Sequence, residues 1–271
     1  MKLIRTFLTA TVLVAGIGSA AAQDLVLAVN EGVTYQDGGP ASERYKPLLQ
    51  LLSKELKQNV RVQSVDKYAT LEKGLAEGKY DLAFIHPAHV GLLAVKKDGY
   101  EGLATAKGYT NYHAHVMVKQ DSPLKSMQDL RGKKIGVPSI ESITTTMFTA
   151  ALKELGFQQP ERAYTATRYQ DAVPFMIENG FVDAGVTGSA KVAKGWVDKG
   201  GRILAETKPI PIKQFVVSKK LSESDREKLR TLLLDLSNND AGRAALAKIN
   251  MTGFVPWNDA VMSEATARLG L

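Results

Sequence analysis

Hydroxyl groups crowd one short stretch of the chain, Lys134-Ile135-Gly136-Val137-Pro138-Ser139-Ile140-Glu141-Ser142-Ile143-Thr144-Thr145-Thr146. An apolar run, a proline and then Ser142 predict a strand, a tight turn and a helix capped by Ser142. The first turn of such a helix carries unpaired amides and the positive end of the helix dipole, so the stretch can hold an oxyanion. Ser139, Ile140, Glu141, Ser142 and Thr144 are the candidate contacts. The same residues also suit an ordinary capped helix in which Ser142 serves only the backbone. Glu141 opposes an anion there unless its carboxylate points away.

A second strand-to-helix junction, Tyr80-Asp81-Leu82-Ala83-Phe84-Ile85-His86-Pro87-Ala88-His89, places His86 at the turn, where it can donate to a ligand oxygen or serve local backbone groups. Arg168 precedes another predicted helix and could grip a phosphate-like group with its guanidinium fork, or stand solvated. Tyr35 lies in a glycine-bearing loop after the first predicted strand, within reach of the same cleft. All four histidines, His86, His89, His113 and His115, fall within thirty residues, and the last two share one face of a strand. Nitrogen-only ligation of a metal ion or haem is therefore an alternative use of this cluster.

Other chemistries are excluded or poorly supported. The chain has no cysteine, which removes disulfides, thiolate metal sites and cysteine nucleophiles. It has no G-x-S-x-G elbow, P-loop, G-x-G-x-x-G or H-E-x-x-H. Ser122-Pro123-Leu124-Lys125 matches S-x-x-K, the one hint of a serine hydrolase, but Pro123 breaks the helix that motif requires. No cofactor is expected.

The elements that must position these residues read as α/β, because short Val/Ile/Leu runs alternate with amphipathic helical patterns. Strands are expected at 25–29, 60–62 and 81–85, with helices at 42–56, 68–77 and 87–95; Ser42 is the expected cap of the first helix. A second series has strands at 134–137, near 164 and at 182–186, and helices at 142–155 and 169–178. Two such units in tandem imply two lobes, each a central sheet flanked by helices. Extended segments at 112–119 and 210–217 should cross between them as a hinge, with helices at 222–236, 241–248 and 258–269 completing the first lobe. The expected division is 23–115 with 215–271 for one lobe and 116–214 for the other. Ligands of open α/β sheets bind at the carboxyl ends of the strands, where His86 and the hydroxyl-rich turn both fall.

Residues 1–22 read as a secretory signal peptide: Lys2 and Arg5, an apolar run over 7–17, then Ala20-Ala21-Ala22. Its removal lowers the formal charge from +7 to +5. The remaining chain has no stretch long and apolar enough to span a bilayer, which points to a periplasm. The modest positive excess suits a small anionic solute. Nucleic acid is not indicated, since no helix has a basic face interleaved with aromatics.

The segments 80–90, 130–156 and 168–190, together with Leu130-Arg131-Gly132-Lys133-Lys134-Ile135-Gly136-Val137-Pro138-Ser139 and Asp183-Ala184-Gly185-Val186, resemble the PhnD-like phosphate/phosphite/phosphonate solute-binding proteins of ABC transporters. The resemblance covers nearly all of the chain after residue 22. It implies a type II periplasmic binding fold whose lobes close on an oxyanion for delivery to a permease, without catalysis. By position it places the family's anion turn at Ser139 to Ser142, its cleft histidine at Arg168 and its first-loop tyrosine at Tyr35. No acidic pair for a ligand amine is found, which argues against aminophosphonates.

Overall fold

The computed structural model describes residues 23–32 and 39–271. The expected export signal and Tyr35 lie outside the described residues. Two sheets organise the chain. The first is built from β1 (Leu25–Asn30), β2 (Val60–Ser64), β3 (Leu82–Ile85), β4 (Tyr100–Ala106), β10 (Gln214–Ser218) and β11 (Phe254–Pro256), in the order β11-β4-β10-β3-β1-β2. The second is built from β5 (His115–Val118), β6 (Ile135–Val137), β7 (Tyr164–Ala166), β8 (Ala184–Thr187) and β9 (Arg202–Glu206), in the order β7-β6-β8-β5-β9.

In each sheet the strands from βα units run parallel: β2, β1 and β3 in the first, β7, β6 and β8 in the second. Each sheet then accepts an antiparallel strand beside its last parallel one, β10 beside β3 and β5 beside β8. This arrangement decides the position of the site. The carboxyl ends of the parallel strands and the amino ends of β10 and β5 meet at one edge of each sheet, so residues just after β1, β3 and β8 share that edge with residues at the start of β5 and β10.

Helices α1 (Ala41–Leu56), α2 (Tyr68–Ala76), α3 (Ala88–Lys97), α7 (Glu223–Asp235) and α8 (Asp240–Lys248) cover the first sheet, and α4 (Ile143–Glu154), α5 (Val173–Glu178) and α6 (Ala190–Asp198) cover the second. Caps at Ser142, Ser222 and Asn258 accept amides three residues on. Ser42 does not cap α1; the helix starts one turn boundary earlier, after Pro40, and Ser42 lies exposed inside it. The expected helix at 169–178 shortens to a 3-10 turn (Gln170–Ala172) followed by α5, whose Pro174 cannot donate back into the preceding turn.

The C-terminal helix α9 (Asp259–Arg268) departs from its expected place in the first lobe. Met262 and Ala265 join an apolar cluster that contains Ala88 and Leu92 of α3 and also Val116, Ile143 and Val186 of the second unit. Arg268 donates to the Pro209 carbonyl at 2.9 Å, so α9 straddles the junction. The two crossing segments are themselves zipped: Tyr112 and Ile210 exchange backbone hydrogen bonds at 3.1 Å, and Ile212 donates to Tyr109 at 2.9 Å. No helix of the described residues is long and apolar enough to cross a membrane.

The first sheet is anchored on one face by Phe84, Phe215 and Phe254, with ring centroids 5.6–6.1 Å apart. Phe215 is fully buried, next to the strand start that faces the second sheet. Phe215→Ala should lower the unfolding free energy by about 3–5 kcal/mol, measured by urea denaturation. A loss below about 1 kcal/mol would mean that this ring trio does not hold the edge.

Candidate functional site

A cavity of about 560 Å³ opens where the edges of the two sheets face one another. From the first unit it is lined by Asn30, Glu31, Tyr45, Phe84, His86 and Lys213; from the second by His115, Gln170, Gly188, Ser189 and Ala190; and from the crossing segment by Tyr109, Asn111, Tyr112 and His113. The lining thus follows from topology. Each contributor from a sheet stands at the end of β1, β3 or β8 or at the start of β5 or β10.

The first wall is ordered by Asn30, whose side chain donates to the Val65 carbonyl at 2.6 Å and accepts from the Gly32 amide at 3.0 Å. That turn brings Gly32 onto the imidazole of His86, where a Cβ would lie 2.5 Å from the ring; its φ of +80° independently favours glycine. Glu31, beside it, receives both terminal nitrogens of the Arg44 guanidinium, one at 2.6 Å, and the Tyr45 hydroxyl at 3.0 Å. Glu31 is the one carboxylate in the lining among the described residues, and these bonds engage it.

His86 is 7% exposed, and its Nδ1 is buried without a hydrogen-bond partner. Burial, reinforced by Lys213 and His89, holds its pKa down at about 3, so the ring is neutral at physiological pH. Lys213 sits immediately before β10, donates its amide to the His86 carbonyl and adopts a left-handed φ of 57°. Its ammonium lies 4.6 Å from the Tyr109 ring centroid. Burial pushes this ammonium down to about 8, against the opposing attraction of Glu31.

The second wall rests on Gln170. Its carbonyl oxygen accepts from the Thr187 hydroxyl at 2.9 Å and the Gly188 amide at 2.5 Å, while its amide donates to the Tyr112 hydroxyl at 3.4 Å. The Tyr112 hydroxyl in turn meets Thr144 Oγ1 at 2.7 Å. Gly188 is required by this packing, since a Cβ there would fall 1.7 Å from that phenolic oxygen. Ser189 then caps α6, whose positive dipole end faces the cavity.

Of the residues singled out from sequence, the structure brings His86 to the cavity and leaves Ser139, Ile140, Glu141, Ser142, Thr144 and Arg168 out of its lining. The hydroxyls of Ser142, Thr145 and Thr146 are consumed at the start of their own helix. Ser142 accepts from the Thr145 amide and donates to Thr145 Oγ1, Thr145 Oγ1 donates to the Ser139 carbonyl at 2.9 Å, and Thr146 bonds the Ser142 carbonyl at 3.0 Å. Thr144 stands one layer behind the cavity, through Tyr112. Ile140 and Glu141 are exposed, and Arg168 is exposed with its guanidinium 5.3 Å from the Tyr169 ring centroid.

The four histidines do not gather at one point of the structure. His113 and His115 reach the cavity, but their Nδ1 atoms engage the Thr207 carbonyl at 2.9 Å and Glu206 at 2.8 Å. His89 packs edge-on against Tyr68, off the cavity. Among the described residues no three His, Cys, Asp or Glu side chains are grouped to hold a metal ion. Ser122 and Lys125 lie in an irregular connector rather than on a helix, so the S-x-x-K match has no structural support.

Sequence reasoning missed Lys213, Gln170 and the Gly188-Ser189 turn. The last carries a readable signal, a strand ending in Thr-Gly-Ser before a helix; a lone lysine in Ile210-Pro211-Ile212-Lys213 carries none.

The family described as "ABC transporter, phosphonate, periplasmic substrate-binding protein" matches residues 33–262. Among solved structures, XAC2383 of Xanthomonas citri, bound to ATP, superposes with a TM-score of 0.75 at 18% identity, over 91% of this chain and 97% of its own. PhnD1 of Prochlorococcus marinus, in complex with methylphosphonate, gives 0.67 at 16% identity, over 90% and 96%. The aliphatic sulphonate binding protein SsuA of Escherichia coli gives 0.59 at 14% identity, over 90% and 91%. At such identities the likeness speaks for the fold.

The neutral, buried histidines have a consequence for stability. His86 and His89 titrate at about 3 and about 4 in the folded protein, below the ordinary 6.5 of the unfolded chain. Between these limits the unfolded state binds more protons, so both residues contribute nothing above pH 6.5 and destabilise progressively as pH falls toward 4. His86→Asn should therefore gain stability relative to wild type as pH drops through that window. A wild-type-minus-variant difference in unfolding free energy that stays flat with pH would contradict the burial of the ring.

Proposed function

Because the chain belongs to the periplasmic substrate-binding family of phosphonate ABC transporters, we propose that it captures a small oxyanion, a phosphonate, phosphite or phosphate-like solute, in the cavity between its two sheets and delivers it to an inner-membrane permease. Members of this family work in the periplasm by binding rather than catalysis, and the fold is the two-lobed type II periplasmic binding fold. Residues 1–22 serve as the export signal in this reading. The two lobes, each built on one sheet, close about the crossing segments.

One observation carries the proposal: a lysine ammonium whose charge is disfavoured by burial lines a cavity whose only described carboxylate is already engaged by Arg44 and Tyr45. A bound oxyanion restores the solvation that the ammonium has lost, through a charge-assisted hydrogen bond. His86, neutral, supplies a ring nitrogen without adding charge, and the α6 dipole end faces the ligand from the opposite wall. Contacts to both walls favour the closed arrangement. Thr144 contributes by holding Tyr112, and the Ser139–Ser142 turn by fixing the start of α4.

The position of Lys213 in the lining also weighs on the choice of solute. A ligand amine would meet Lys213, which repels it, so simple oxyanions suit this site better than aminophosphonates. The methylphosphonate bound by PhnD1 of P. marinus is of this simpler kind.

Isothermal titration of the protein with methylphosphonate, phosphite and phosphate tests the reading. Lys213→Met should weaken binding by about 1.5–3 kcal/mol, roughly 10- to 100-fold, as loss of a hydrogen bond to a charged group does. Wild-type affinity should fall as pH rises through about 8, where the free ammonium deprotonates, and the variant should show no such fall. Equal affinities for the two proteins would remove Lys213 from the site.

A further inference from the structure

The charged groups of the cavity are gathered on the first unit, where Lys213 precedes β10 and Glu31 follows β1. The remaining space is bounded by ring and aliphatic side chains together with polar ones, Asn111, Gln170 and Asn250 among them. Phe84 and Tyr45 back it, Tyr109 and Tyr112 stand half-buried beside it, and Ile249 and Met251 reach it from the segment before β11. The His86 and Tyr112 rings meet edge to face with centroids 6.3 Å apart, and those of His113 and His115 lie 6.2 Å apart.

On the opposite wall the side chains are small. Gly188 cannot carry a Cβ against Tyr112, Ser189 is committed to capping α6, and Ala190 presents only a methyl group while remaining exposed. Tyr112 thus closes the cavity at Gly188, and the space on this side lies along Ser189 and Ala190. At about 560 Å³ the space falls within the range, roughly 300–1,000 Å³, of pockets that enclose drug-sized molecules, and a bare phosphonate would leave most of it to water.

We infer that the solute bears a ring-containing, apolar body on its oxyanion, with the anionic group at Lys213 and the body lying between Tyr109 and the Ser189-Ala190 helix start. The inference rests on the cavity being the oxyanion site proposed above. A flat ring suits this space because aromatic walls at edge-to-face and offset geometry accept another ring, and Met251 adds a polarizable thioether. An aliphatic chain of equal area would gain burial without these ring contacts.

Titration calorimetry with phosphate, methylphosphonate and phenylphosphonate tests this. Phenylphosphonate should bind at least about tenfold more tightly than methylphosphonate. Ala190→Phe, which fills the cavity from an exposed helix start and leaves the apolar core untouched, should collapse that preference to within about threefold. Methylphosphonate binding as tightly as phenylphosphonate, or a preference that survives in Ala190→Phe, would overturn the inference while leaving the oxyanion site standing. If none of the three ligands binds, the oxyanion site itself is wrong and the inference falls with it.

Discussion

A lysine placed where water is scarce needs an anion, and the interlobe cavity is organised around that need. Lys213 is not a surface residue folded inward by chance: it immediately precedes the strand that pairs antiparallel with β3, its amide is tied to the His86 carbonyl, and its ammonium lies over the Tyr109 ring. Burial pulls its pKa down by making the charged form costly. The natural intramolecular answer would be an ion pair with Glu31, but Arg44 takes that carboxylate in a two-pronged contact and Tyr45 adds a hydroxyl. In the proposed reading a bound oxyanion meets the electrostatic requirement that remains.

The rest of the architecture serves to hold two such edges opposite one another. Parallel strands deliver loop residues to one edge of each sheet, and the antiparallel insertions of β5 and β10 bring His115 and Lys213 to the same edges. The crossing segments pair through Tyr112 and Ile210, and α9 packs across the junction. Tyr112 is central to the coupling, since one hydroxyl links Gln170 of the second wall to Thr144 at the start of α4, while its ring touches His86 of the first. Tyr112 thus contacts both walls through side-chain packing as well as through the paired crossing segments.

The α/β class, the two tandem units and the crossing segments were legible because they depend on hydrophobic period and order. So was His86, because a histidine at a strand-to-helix turn can be placed at a sheet edge from sequence alone. The hydroxyl-rich stretch is ambiguous for a physical reason: serine and threonine at a helix start satisfy local amides and carbonyls as readily as a ligand, and Ser142, Thr145 and Thr146 make such local bonds. The histidine quartet misled because nearness along the chain is not convergence in space; His89 turns onto Tyr68 and His115 onto Glu206. Lys213 could not have been found by motif. Its importance comes from the register of β10 with β3 and from the depth at which the edge is buried, and neither is written in a window of residues around it.

The most direct test is a crystal structure of the protein grown with methylphosphonate. The oxyanion is expected within hydrogen-bonding distance, about 2.7–3.2 Å, of Lys213 Nζ, in the cavity between His86 and the Gly188-Ser189 turn. Density for the ligand at the Ser139–Thr145 turn, with Lys213 left to solvent, would contradict the account.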